Sequence, residues 1–201
     1  MGVAAATPYP RLTLVPADAV RLPAVLPVLP PGFVAERPET WPAGPGRYEL
    51  VAGRLEYMPP CGEVQQLVAV DVATELNLWR RTNTAYDVGG NEAGMMLGGE
   101  VRGADAAVWL ARKPQPGFAR VPPILAVEVG GQNDTLEYLE KKAEWYLSHD
   151  VECVWIVMPD TRSVRVVTKA GHVDVAGGAR IPEHPSLPGL APDVSAFFQQ
   201  L

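Results

Sequence analysis

A single carboxylate inside an apolar run is the feature of this chain that is hardest to accommodate. Ile124-Leu-Ala-Val-Glu-Val129 has the length and composition of a buried strand, and Glu128 lies within it. An ionised carboxylate buried without a partner costs several kcal/mol or forces a pKa shift. The fold must therefore bring a cation to Glu128, either a metal ion or a lysine. Gly130-Gly131 breaks the strand, and a helix is expected from about residue 133 to residue 148. Its apolar stripe is Leu136, Leu139, Ala143, Tyr146 and Leu147. At about 100° per residue, Lys141 points almost opposite that stripe, while Lys142 lies at its edge, roughly 90° from its centre. Lys141 follows Glu137 by four residues, the spacing of a solvated ion pair. Lys142 has Tyr138 and Tyr146 at that spacing instead, and can tuck against the sheet to reach a buried acid.

The rest of the chain supplies an α+β frame. Residues 1–45 carry ten prolines spread along their length and are expected to form an N-terminal arm, with residues 46–201 as one domain. Leu22, Val25, Leu26, Val28 and Leu29 suggest that part of the arm packs on the domain. Arg47–Val51 and Arg54–Met58 flank Ala52-Gly53 and read as a hairpin. From Glu63 to Arg81, the positions Val64, Leu67, Val68, Val72, Leu76 and Trp79 follow a helical period. Tyr86–Gly90 reads as a strand and turn, Met95–Leu97 as another short strand, and Arg102–Leu110 as a strand that runs from polar into buried. Val151–Met158 is apolar and β-branched, as a central strand should be. Ser163–Thr168 and His172–Val175 read as its hairpin neighbours, and Val194–Leu201 as a terminal helix. The expected architecture is a mixed sheet flanked by two main helices.

Composition narrows the function classes. A formal charge of −6 argues against a broad basic surface for phosphate backbones, but leaves room for a small basic cleft or a metal. Cys61 and Cys153 form no motif, which fits a reducing cytoplasm. There is no secretory signal pattern and no run long enough to span a membrane. Gly89-Gly90 and Gly98-Gly99 read as turns, since no phosphate-loop lysine follows either pair. His149, His172 and His184 are scattered. Trp145 and Trp155 read as packing residues.

Asp105 is the second candidate acid, at the head of an apolar strand after Gly103-Ala104. Two carboxylates on neighbouring strands with a lysine nearby suit a hard cation such as magnesium, which needs few carboxylates and keeps its waters. The lysine could orient an attacking water or offset charge on a phosphorane.

Three strings then carry a resemblance. They are Tyr48-Glu-Leu-Val-x-Gly-x-Leu-x-x-Met-Pro-Pro60, then Asn91-Glu-Ala-Gly-Met-Met-Leu97 with Val101-Arg-Gly-Ala-Asp105, then Val127-Glu-Val129 with Asn133-Asp134, Lys142-x-x-x-Tyr-Leu147 and Val154-Trp-Ile-Val-Met-Pro-Asp160. In this order and spacing the chain resembles the Uma2 family of restriction-endonuclease-like proteins, a branch of the PD-(D/E)xK nuclease superfamily. The resemblance runs from about Tyr48 to Leu190. It implies a metal-dependent endonuclease acting on DNA with Mg2+ or Mn2+. Asp105 and Glu128 match the metal-binding acids, Lys142 matches a catalytic lysine carried on the following helix, and Glu49 matches an acidic residue of the first strand. Asp134 matches the aspartate that opens the helix, and Gln65 would line the cleft with Glu49. A homodimer is expected, because nucleases that cut duplexes often act in pairs.

The chain departs from the family pattern at several points. Ala104 replaces the usual proline before the aspartate, Val64 stands where a histidine is often found, and Gly130-Gly131 replaces serines. A structural role is also open to each candidate. Glu128 could pair with an arginine, Asp105 could cap a turn, Lys142 could snorkel along the helix edge, and Glu49 could be solvated. Asp134 is expected to be the helix N-cap. The rival function is a nuclease fold retained, without catalysis, as a binding or regulatory module.

Overall fold

The hairpin over residues 47–58 forms as its sequence requires. In the computed structural model, which describes residues 23–201 apart from Pro45 and Asn133, strands β2 (Arg47–Val51) and β3 (Arg54–Met58) pair with Val51 opposite Arg54. Ala52 and Gly53 have φ of 48° and 75°, the two positive values that a two-residue type I′ turn needs. A short β1 (Ala24–Val25) adds to β3, and the Leu26 N–H donates to the Leu55 carbonyl at 2.8 Å. Among the described residues of the N-terminal apolar set, Leu26 packs. Val25, Val28 and Leu29 are exposed, and Leu22 lies outside the described residues. Phe33, Trp41 and Phe118 form a cluster of tilted rings that ties residues 33–41 to the loop that follows Leu110.

Helix α1 (Glu63–Thr82) follows, then β4 (Tyr86–Leu97) and β5 (Glu100–Leu110), joined by Gly98-Gly99 at positive φ. Next come β6 (Leu125–Val129), helix α2 (Leu136–Ser148) and β7 (Cys153–Met158), with β6 and β7 as parallel neighbours. β8 (Ser163–Thr168) and β9 (Gly171–Ala176) continue the sheet outward. Among the described residues all nine strands lie in one mixed sheet, with β4 paired to the far edge of β5.

Three elements differ from the sequence expectation. Tyr86–Leu97 is one strand, not two: Gly89-Gly90 stays in the ladder, and the pairing slips only between Gly90 and Ala93. The α2 N-cap is Thr135, whose hydroxyl accepts from the Tyr138 N–H at 3.2 Å, whereas Asp134 accepts from the Gly131 N–H at 2.8 Å. The tail is a single 3-10 turn, Val194–Phe198, rather than a helix to Leu201. Its Phe197 and Phe198 are buried.

The two helices cover opposite faces of the sheet. Val68, Val72 and Leu76 of α1 share one core cluster with Leu125, Val127, Val129, Trp155 and Phe197. Leu139, Ala143 and Tyr146 of α2 share another with Ala126, Val154 and Ile156. Strand alternation thus turns Leu125, Val127 and Val129 toward α1, and Ala126 and Glu128 toward α2. Among the described residues, no helix is long and apolar enough to cross a membrane.

Candidate active site

The site lies at a fork in the sheet. β2 and β6 pair with the same strand, β5, but at different heights: Leu50 sits opposite Val101, and Val127 opposite Ala106. Side-chain carboxylates serve the backbone donors around that opening. Glu49 of β2 accepts from the Gly103 N–H at 3.2 Å, and Asp105 of β5 accepts from the Val129 N–H at 2.7 Å. Using acids in place of a ladder brings Glu49, Asp105 and Glu128 to one place, all nearly buried.

Glu128 faces α2, where Lys142 and Tyr146, one turn apart, meet it. Lys142 Nζ donates to Glu128 Oε2 at 2.7 Å and lies 3.5 Å from Glu49 Oε1. The Tyr146 hydroxyl donates to Glu128 Oε1 at 2.7 Å. Lys141 is exposed and pairs with Glu137 at 2.7 Å, as the helical geometry predicts.

Two further residues belong to the cluster, and sequence alone did not single them out. Glu92 stands in the β4 bulge opposite Asp105, at φ 62°, where its carboxylate pairs with the guanidinium of Arg47. That conformation is uncommon for a residue with a side chain, and a bulge is a known means of re-aiming one. The Glu92 within the quoted family string was the only available signal, and alternation along β4 gives no hint that it turns inward.

Electrostatics follow from excess acid. Glu49, Glu92, Asp105 and Glu128 share two cations, Arg47 and Lys142, so full ionisation leaves two more negative than positive charges in the cluster. Burial pushes the Glu128 carboxyl up to about 7, with Lys142 pulling it down and Asp105 and Glu49 pushing it further up. Burial likewise raises Glu92 to about 7, against the pull of Arg47. Burial raises Asp105 against its bond from Val129. Burial opposes the charge on Lys142, yet Glu128 and Glu49 hold its ammonium above the ordinary range. Lys142 is therefore a cation throughout the working pH range.

Over the cluster opens a cleft of about 220 Å³, lined by Arg47, Gln65, Glu128, Asp134, Tyr138 and Lys142 among others. Gln65 donates to the Val129 carbonyl at 3.0 Å. Val64, in the position of the family histidine, is about half exposed, so Gln65 is the residue of that turn that faces the cleft. Gly131 leaves Gln65 its space: a Cβ there would stand 2.8 Å from Gln65 Oε1.

The donor set fits a hard divalent ion. Glu49 Oε2 and Glu92 Oε2 are buried with no hydrogen-bond partner, and a cation would favour the ionised form of the buried acids around them. Among the described residues no three His, Cys, Asp or Glu side chains form a ready-made cage. Both Glu128 oxygens already have donors, but each carboxylate oxygen keeps further lone-pair capacity.

The fold is restriction-endonuclease-like. The chain belongs to the Uma2 family, whose model, described as "Putative restriction endonuclease", matches residues 35–195. The crystal structure of a "putative nuclease belonging to DUF820" from Anabaena variabilis is similar in fold, with a TM-score of 0.69 at 14% identity, over 80% of this chain and 94% of that one. No curated protein matches the chain.

Proposed function

We propose that this chain is a metal-dependent endonuclease that hydrolyses phosphodiester bonds in DNA. The observation that carries the proposal is the buried surplus of acid beneath the cleft, with orphaned carboxylate oxygens and a permanently charged lysine beside it. In this role Asp105 and Glu128 hold Mg2+ or Mn2+, and Glu49 contributes from the neighbouring strand. The ion would supply Lewis acidity at the phosphoryl oxygens and acidify a bound water.

The chain's own residues do the rest. Glu128 and Glu49 fix the Lys142 ammonium in place. Because that group stays protonated, it does not act as the base. It donates to the attacking water or to a phosphoryl oxygen and offsets the charge growing there. Tyr146 fixes the plane of the Glu128 carboxylate. The reaction forms one P–O bond from water and breaks one P–O ester bond, and the leaving oxygen takes up a proton. Cutting both strands with one site per chain calls for a homodimer, which a mass measurement in solution checks.

Asp105→Ala and Glu128→Ala, assayed with plasmid DNA and magnesium, test the proposal. Both variants should lose cleavage, and wild-type cleavage by both would overturn it. One observation favours a second reading, a nuclease fold kept as a binding or regulatory module: Lys142 and Tyr146 already occupy both Glu128 oxygens. Under that reading the wild type does not cleave in any divalent ion.

A further inference from the structure

Of the residues lining the cleft, Arg47 and Lys142 are the cations. They are held very differently. Lys142 is 3% exposed, and two carboxylates share its ammonium. Arg47 is 25% exposed, and its guanidinium donates to Glu92 through one terminal nitrogen. Its ε nitrogen is buried and has no partner. A buried donor on a charged group is costly to leave unpaired. The Arg47 side chain as a whole is a quarter exposed and lines the cleft, so the guanidinium edge that Glu92 leaves free can take an acceptor from outside the chain.

We infer that Arg47 is the substrate-binding residue that takes a backbone phosphate of the nucleic acid, through the guanidinium edge that Glu92 leaves free. This rests on the nuclease reading of the same site and adds the residue that receives the anion. The chemistry is specific. A guanidinium presents its N–H groups in a planar fork that matches two phosphate oxygens, which an ammonium cannot do. The need is specific too. The cleft floor is rich in acid and the chain carries a charge of −6, so a phosphate is repelled unless a cation with a free donor meets it. The backbone is shaped around the pair. Glu92 holds a left-handed conformation at φ 62° in the β4 bulge, and its carboxylate meets Arg47 there. Strain of this kind persists where the surrounding structure enforces it and clusters at ligand sites.

The test is the salt dependence of duplex binding by the full chain, read by anisotropy of a short labelled DNA duplex with calcium in place of magnesium. The slope of log affinity against log salt counts the phosphates contacted. Arg47→Met should lower the slope by about 1 and weaken binding by about tenfold, whatever the duplex sequence. Arg47→Lys should keep the slope, because the charge remains, yet lose affinity, because the fork is gone. Arg47→Met/Glu92→Gln removes the ion pair as a unit and guards against misfolding from an uncompensated acid. It should show the same lowered slope. A wild-type slope in both Arg47→Met and the double variant overturns the assignment. If those variants keep the slope while the wild type cuts DNA, the assignment falls alone. If the wild type binds but does not cut with magnesium, hydrolysis falls while a lowered slope still supports Arg47. A wild type that binds no duplex overturns both.

Discussion

Lys142 and Glu128 stand 14 residues apart in the chain and 2.7 Å apart in the fold, each side chain only 3% exposed. Two elements bring them together. Alternation along β6 turns Glu128 toward α2, and the helical angle places Lys142 at the edge of the apolar stripe. The pair is the anchor on which the acids of neighbouring strands converge.

Breaking the pair from one side should cost far more than replacing both partners. Lys142→Met leaves Glu128 and Glu49 buried without their ammonium, and a loss of about 3 to 5 kcal/mol is expected in urea unfolding. Lys142→Met/Glu128→Leu should recover much of that loss while remaining unable to cleave DNA. A double variant no more stable than Lys142→Met would contradict the ion-pair account.

The metal-free protein should lose stability as pH rises through the range where its raised acids titrate. Glu128 and Glu92 titrate near the ordinary 4.5 when unfolded and at about 7 when folded. Between those values the folded chain keeps protons that the unfolded chain has released. Their contribution is therefore fully present below 4.5 and is lost as pH climbs through about 7. Thermal melts across this window should show the decline, and Glu128→Gln should flatten it. Manganese should flatten it as well, because a bound cation favours the ionised acids. A melting temperature that rises through the same window in metal-free wild type, with the same slope in Glu128→Gln, would count against the arrangement.

Tyr146→Phe keeps the ring in its buried place and deletes the hydroxyl that donates to Glu128 at 2.7 Å. A hydrogen bond to a charged group is worth about 1.5 to 3 kcal/mol. Denaturant unfolding should show a loss of that order, with cleavage reduced through a less firmly held Glu128. No change in either would remove Tyr146 from the site.

Much of this was legible from sequence. Glu128 announced itself because a charge in an apolar strand is anomalous, and the choice of Lys142 over Lys141 followed from the helical angle alone. Asp105 stood out at the head of an apolar strand before the family strings matched it, whereas Glu49 came from a family string alone, and the fold places both against Glu128's neighbours. Other features were out of reach. Tyr146 reads as one more member of an apolar stripe, and nothing local tells that its hydroxyl finds a carboxylate. The slip between Gly90 and Ala93 hid twice: it made one strand look like two, and it turned Glu92 inward against the period of its strand. Arg47 begins a hairpin strand, where an arginine is ordinarily solvated. The N-cap went to Thr135 and not Asp134 because Asp134 is occupied by the Gly131 N–H. That is a competition between adjacent capping residues, which sequence does not resolve.

The central claim is that this cluster holds a divalent ion through Asp105 and Glu128. Calorimetric titration of the metal-free chain with manganese tests it most directly. Wild type should bind a single ion per chain, with Asp105→Ala folded and no longer binding it. A folded wild type that takes up no manganese at millimolar concentration, or an Asp105→Ala variant that binds as the wild type does, would contradict the account.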